Sequence, residues 1–180
     1  MKEQVIKLLR QTKRDGIENL IKAMEDGGFF TSPCSGGNHL ATTGGLAEHS
    51  FNVFSIAHDL NITLDAKLPE ESIIIASLLH DLGKMGDFGK ELYVPNYLKS
   101  GKISDSKPYM QNPELLKVDH EIRSVSIASK YIELTEDEYF AILHHNGLYG
   151  NLKYNIQGNE TPLYLIIHTA DMWASRVKEI

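Results

Sequence analysis

Apolar residues recur three or four positions apart along most of the chain, which is the spacing of helices that bury one face. The first such stretch runs from about Lys2 to Asp26, and Gly16 is a candidate break within it. Further helices are predicted over about Leu46 to Leu60, Pro69 to Gly83, Asp119 to Ile132, Thr135 to Gly147, and from Thr161 towards the C-terminus. The pattern therefore predicts an all-α fold.

Two of these helices begin with clear local signals. Thr135 and Glu138 are spaced as a capping box, and Thr161-Pro162 places proline in a first turn.

Two long segments lack helical periodicity. GGFFTSPCSGGNHLATTGG (27–45) is long for a loop in a compact domain, and such loops are more often functional than idle. Residues 84–114 are rich in Gly, Pro, Lys and Tyr and predict an excursion with room for a short hairpin.

Length and composition narrow the class of protein. With 180 residues, 42% of them hydrophobic and 23% charged, the chain suits a single globular domain. The single cysteine, Cys34, excludes an internal disulfide framework and a cysteine-based zinc cluster, and it fits a reducing cytoplasm. The sequence shows neither a secretory leader nor an apolar run of about 18 residues, so no membrane association is expected. A net charge of −6 argues against a general nucleic-acid coating protein.

The tripeptide His-Asp-Leu occurs twice, and helical position separates the two copies. In the helix from Leu46 to Leu60, His49 lies on the apolar stripe. His58 comes nine residues later, and nine steps of about 100° place it on the opposite side. The pair His58-Asp59 is therefore expected to face solvent.

The second copy, His80-Asp81, ends a helix that is apolar nearly all round. An aspartate at that end is disfavoured by the helix dipole. A buried carboxylate also costs free energy unless it is paired. A divalent cation would compensate for both effects.

Further polar side chains fall at inward helix positions, namely His144 and Asp171, with His120 as a plausible third. His145 follows His144 and diverges from it by about 100° around the helix, so the two could approach one metal from the helix end or serve two neighbouring metals. Taken singly, each histidine is more often a core or boundary residue than a ligand. Together with His49, His80 and Asp81 they form an imidazole and carboxylate set that suits zinc, manganese, iron or nickel. Asp81 is the natural bridging group, and the residues alone leave one or two ions open.

The order His49, His80-Asp81, Asp171 resembles the HD-domain superfamily of metal-dependent phosphohydrolases, whose pattern is H…HD…D on a helical bundle. His120 and the motif ILHHNG occupy the additional positions of the two-metal branch, which includes cyclic-dinucleotide phosphodiesterases. The flanking stretches GGLAEHSFNV, LLHDLGK and HTADMWASR are similar to those of bacterial and phage HD hydrolases. The resemblance covers roughly Phe29 to Arg176.

The resemblance implies a single HD domain over residues 1–180, with an N-terminal helical segment (1–28) and a metal-site core (29–176). It implies one metal held by His49, His80, Asp81 and Asp171. A second would be held by His120, His144 and His145, with Asp81 bridging. The sequence HHNGLYGN departs from the cyclic-dinucleotide enzymes, since it lacks their acidic residue and closing Gly-Tyr-Pro.

The implied function is hydrolysis of phosphoester bonds in a nucleotide or nucleic acid, with a two-metal phosphodiesterase favoured. The alternatives are a one-metal nucleotide phosphatase or dNTP hydrolase, oxygen activation at a di-iron centre, and a non-catalytic metal- or nucleotide-binding module. Asp81 and Lys84 are the candidate catalytic residues, although Lys84 also suits a helix C-terminal cation. Lys84, His39 and Asn146 are candidate substrate contacts. The sequence leaves the substrate, the native metal and the oligomeric state open.

Overall fold

The computed structural model describes residues 1–179, and within them the chain forms seven α-helices and one small sheet. The all-α prediction is confirmed. The helices are α1 (Lys2–Gln11), α2 (Ile17–Asp26), α3 (Gly45–Thr63), α4 (Glu70–Leu79), α5 (His120–Ala128), α6 (Glu136–His144) and α7 (Pro162–Trp173).

Helix α4 is the centre of the bundle. All of its residues from Ser72 to Leu79 are buried, as expected for a helix that is apolar all round. Helices α3, α6 and α7 pack around it, and α1 also contacts it. Val5 and Leu9 of α1, with Leu20 and Met24 of α2, join the same hydrophobic core. The C-terminal end of α4 therefore carries His80-Asp81 into the interior.

Local signals place several helix ends where the sequence predicts them. The Thr135 side chain accepts from the Glu138 amide while the Glu138 carboxylate accepts from the Thr135 amide, so the capping box is confirmed. Thr161 likewise caps α7, ahead of Pro162. Gly16 separates α1 from α2 with φ of +83°, and a side chain there would collide with the Tyr131 carbonyl oxygen.

The prediction that α4 continues to Gly83 was wrong. The helix ends at Leu79, and a short 3₁₀ helix spans Leu82–Met85. The cause lies in α5, which approaches so closely that a side chain on Gly83 would collide with the His120 carbonyl oxygen. The Gly83 amide donates to Ser124 Oγ at 2.8 Å instead of extending α4. This contact between distant segments sets where Asp81 points.

The two long segments lie against each other. The 84–114 excursion contains an antiparallel hairpin of β1 (Tyr93–Pro95) and β2 (Tyr109–Gln111), as predicted. The 27–45 loop packs on it, because the Tyr109 amide donates to the Gly36 carbonyl at 3.0 Å. None of the helices within residues 1–179 combines the length and the hydrophobicity that a membrane-spanning segment requires.

Candidate metal centre

Six of the predicted ligands come together at one place: His49, His80, Asp81, His120, His145 and Asp171. They arrive from α3, the end of α4, the start of α5, the end of α6, and α7. His49, His80, Asp81 and His145 are buried, whereas the side chains of His120 and Asp171 are 24% and 18% exposed. The last two residues therefore mark the open side of the cluster.

The Asp81 carboxylate lies between two pairs of imidazoles. Its Oδ2 is 3.4 Å from Nε2 of both His49 and His80. Its Oδ1 is 3.0 Å from His120 Nε2 and 3.4 Å from His145 Nε2. Oδ1 is buried and has no hydrogen-bond donor among the described residues. Each carboxylate oxygen thus faces its own pair of ring nitrogens.

Asp171 belongs to the side of the first pair. Its Oδ1 is 3.1 Å from His49 Nε2. His49, His80 and Asp171 also form one of the groups in the described chain whose ligand atoms lie close enough to share an ion, and His80, Asp81 and His145 form another. The two groups have His80 in common.

Each of the four clustered imidazoles has an acceptor near its Nδ1 atom, hydrogen-bonded in three cases and at ion-pair distance for His120. Such partners fix the tautomer and leave the Nε2 lone pair for a metal. The Nδ1 partners are the Glu179 carboxylate for His49 (2.9 Å), the Ser77 carbonyl for His80 (2.7 Å), the Glu121 carboxylate for His120 (3.2 Å) and the Ile142 carbonyl for His145 (2.8 Å).

This arrangement fits divalent metal ions. In His49, His80 and His145 a hydrogen-bond acceptor lies beside Nδ1, which leaves Nε2 for a proton or a metal ion. The Nε2 atoms of His49 and His80 are 3.2 Å apart, and those of His120 and His145 are 3.3 Å apart, so unprotonated rings would set their lone pairs against each other. Two lone pairs at that distance need a proton or a cation between them. The unpaired Asp81 Oδ1 has the same need.

The electrostatics keep the carboxylates charged. Burial raises the pKa of Asp81, but Lys84, His80 and the other imidazoles outweigh it and hold that pKa well below its usual value. The pKa of Asp171 is also lowered, because contact with His49 outweighs burial. Burial lowers the pKa of His80. The cluster therefore offers ionised carboxylates and a neutral His80 at neutral pH.

His144 lies outside this cluster. Its ring packs on Phe140 with a centroid distance of 4.4 Å, and its buried Nδ1 has no partner among the described residues. Within residues 1–179, His144 makes no ion-pair contact with Asp81, whereas the adjacent His145 does. A role for His144 as a ligand to the second metal remains a prediction.

Lys84 and the predicted substrate contacts border the cluster, whereas Asp81, the other predicted catalytic residue, lies within it. Lys84 Nζ is 2.6 Å from Asp81 Oδ2. The Asn146 amide nitrogen is 3.4 Å from His120 Nε2. His39 Nε2 is 3.3 Å from Cys34 Sγ and 3.8 Å from Glu179. Their roles in catalysis or substrate binding remain predictions.

Three neighbours of the cluster were missed from the sequence: Cys34, Glu121 and Glu179. Cys34 Sγ is 3.8 Å from Lys84 Nζ and 3.9 Å from Asp81 Oδ2, and burial raises the pKa of its thiol to about 11. Glu121 directly follows His120. An acidic side chain at an inward position of that helix could have indicated from the sequence that it lies beside the cluster. No local signal marks Glu179, because it is 130 residues from His49 in the chain.

The other His-Asp pair lies at the surface, as predicted. His58 Nδ1 is 2.9 Å from the exposed Glu70 carboxylate.

A family model described as HD domain matches residues 46–171. The chain belongs to the HD-domain family. HD domains are in general metal-dependent hydrolases that bind divalent metals. Neither the curated proteins nor the solved structures gave a match. The matched range of this HD domain includes all six clustered residues, but Cys34, His39 and Glu179 lie outside it.

Proposed function

We propose that this HD domain is a two-metal phosphohydrolase that cleaves a phosphodiester bond in a nucleotide or nucleic acid. The observation that carries the proposal is the Asp81 carboxylate, whose two oxygens each face a separate pair of Nε2 atoms. A one-metal site would leave one of these pairs without a function.

One ion would be held by His49, His80, Asp171 and Asp81 Oδ2. The other would be held by His120, His145 and Asp81 Oδ1, with His144 as the further ligand implied by the sequence motif. When bound, a pair of divalent ions lowers the pKa of a water nucleophile and offsets charge on the phosphate. Manganese, iron, nickel and zinc all suit this donor set.

The chain's own groups then position the phosphate. Burial lowers the pKa of Lys84, but Asp81 raises it well above its usual value, so the ammonium stays charged. That charge is fixed beside the carboxylate and favours an incoming phosphoryl oxygen. Asn146 contributes an amide next to the partly exposed His120, and the ring of His39, in the 27–45 loop, has its centroid 5.0 Å from that of His49. We propose a cytoplasmic location because the chain has a single cysteine.

The test combines metal analysis with hydrolysis. Purified protein loaded with manganese should contain close to two ions per chain by mass spectrometry of the metals. It should cleave bis-p-nitrophenyl phosphate, and His80→Ala should abolish the cleavage. His58→Ala is the matched control, because it alters the same tripeptide at the surface and should leave both measurements unchanged.

Each outcome decides between the candidates. One ion per chain in active protein would overturn the two-metal site. Two ions without hydrolysis of this or nucleotide phosphodiesters would support a binding module instead of an enzyme.

A further inference from the structure

Beside the open side of the metal centre, an exposed tyrosine is stacked under an arginine. The Arg176 guanidinium carbon is 4.9 Å from the centroid of the Tyr149 ring. Tyr149 is nevertheless 72% exposed. Because the guanidinium lies over one face of the ring, this exposure belongs to the opposite face and the edge. Neither residue contributes to the metal cluster, and the hydrophobic core does not include them.

The position of Tyr149 relative to the metal centre is fixed by its own turn. It ends a 3₁₀ helix (Gly147–Tyr149) that follows Asn146, whose amide is 3.4 Å from His120 Nε2. After the turn, Asn151 donates to the Asp119 carboxylate at 2.7 Å, directly before α5 begins. Both ends of the turn are thus attached at the start of α5, where the partly exposed His120 lies.

The base of the turn is also locked. Gly147 has φ of +55°, and a side chain there would collide with the His168 ring. His168 in turn lies 2.7 Å, through Nδ1, from the carbonyl oxygen of His145. The turn that carries Tyr149 therefore rests on residues in direct contact with the cluster, which places Tyr149 three residues along the chain from Asn146, beside the partly exposed His120.

An exposed aromatic ring with an arginine on one face is a surface suited to nucleobases. Base–aromatic stacking operates with every base, since each has a π-face, and arginine adds a cation–π contribution. The chain carries a net charge of −6, so broad electrostatic attraction does not hold a polyanion here. Stacking supplies affinity without a basic surface.

We propose that Tyr149 and Arg176 form a nucleobase platform: the open face of the tyrosine binds the base of a nucleoside phosphoester whose phosphate lies at the metal centre. This inference rests on the proposed function for the placement of the phosphate. It adds a substrate requirement, namely that the group esterified to the phosphate carries a planar heteroaromatic base.

The experiment compares two ligands that differ by the base alone. Titration calorimetry on manganese-loaded protein measures Kd for AMP and for ribose 5-phosphate. The wild type should bind AMP at least about fivefold more tightly, the lower end of the range of base-stacking contributions. Tyr149→Leu should remove that preference and leave the Kd for ribose 5-phosphate unchanged, whereas Tyr149→Phe should retain it.

Two further variants serve as controls. Arg176→Lys keeps the charge but loses the planar stack, so it should weaken AMP binding by less than Tyr149→Leu does. Phe88→Leu alters a similar exposed pair, in which Lys130 Nζ is 5.9 Å from a ring that is 81% exposed. Lys130 lies beyond the far end of α5 from His120. Phe88→Leu should leave both Kd values at wild-type levels.

The proposal is overturned if the wild type binds AMP no more tightly than ribose 5-phosphate, or if Tyr149→Leu binds AMP as the wild type does. A protein that binds AMP in a Tyr149-dependent manner but hydrolyses no phosphoester would keep the platform and overturn the enzyme. A protein that hydrolyses bis-p-nitrophenyl phosphate without any base preference would do the reverse.

Discussion

Two histidines of this protein make the same contact through Nδ1, yet the surroundings of that contact give them different roles. His58 and His49 each direct Nδ1 at a glutamate 2.9 Å away. For His58 that partner is the exposed Glu70, and the pair lies in solvent. For His49 the partner is Glu179, 2% exposed, and the contact aims Nε2 at two carboxylates. The same contact thus has different consequences in the two environments.

Removing the carboxylate behind His49 should weaken metal binding without removing a ligand. Glu179→Ala is expected to lower manganese affinity by about 10- to 100-fold, because a ligand histidine that loses its outer partner loses orientation and basicity. Glu179→Gln retains a hydrogen-bond acceptor, so its manganese affinity should lie between those of the wild type and Glu179→Ala. Competition with a chelating dye measures the affinity. Glu70→Ala is the control for the exposed pair, and an equal loss in that variant would contradict the assignment.

Single residues were predictable from the sequence where helical position decides their direction. The burial of His80-Asp81 and the exposure of His58 both follow from the apolar stripe of the host helix. Adjacent His144 and His145 could not be separated, because a helix end sets their directions and that end depends on packing. Cys34 and Glu179 reach the cluster from loops and tails, where no periodicity indicates direction.

At the scale of elements, α6 is held to the rest of the bundle by its first turn. Glu138 completes the capping box and is fully buried. Its carboxylate accepts from Arg14 at 2.6 and 2.8 Å and from Ser72 at 2.7 Å. One side chain therefore ties α6 to the segment between α1 and α2 and to α4.

Two substitutions should separate the cap from this network. Thr135→Ala removes the N-cap bond alone and should cost about 1 kcal/mol of unfolding free energy. Glu138→Ala also leaves the Arg14 guanidinium without its buried partner, so the loss should be larger, about 3–5 kcal/mol. Urea denaturation measures both. Glu136→Ala, in the same turn but exposed, should change the value little, and similar losses in the two Glu variants would contradict this account.

Element boundaries were predictable where the signal is local. The starts of α6 and α7 follow from Thr135 with Glu138 and from Thr161-Pro162. The end of α4 was mispredicted because Gly83 meets Ser124 and His120, which are about 40 residues further along the chain. A stop imposed by a distant helix leaves no trace in the local sequence.

For the molecule as a whole, the metal cluster lies where five elements converge, so its occupant should stabilise the entire fold. Metal ions at concentrations of 100 to 1,000 times their Kd should raise the free energy of unfolding by about 3–4 kcal/mol. For a chain of this length, that shifts the unfolding midpoint by about 5–15 °C. Scanning calorimetry with manganese and after chelation measures the shift. Asp81→Ala should show almost none, and an equal shift in that variant would point to binding elsewhere.

Three residues beside the cluster lie outside the part of the chain that the HD-domain family model matches. Cys34, His39 and Glu179 border the cluster, but they belong to a loop and a tail on either side of residues 46–171. If those two segments were grafted onto another HD domain, the side chains around the cluster would therefore change, and the clustered residues themselves would remain those of the recipient domain. The matched helices carry all six clustered residues, whereas the two flanking segments carry the side chains around them, so variation in those segments would change the surroundings of the cluster without changing the cluster itself.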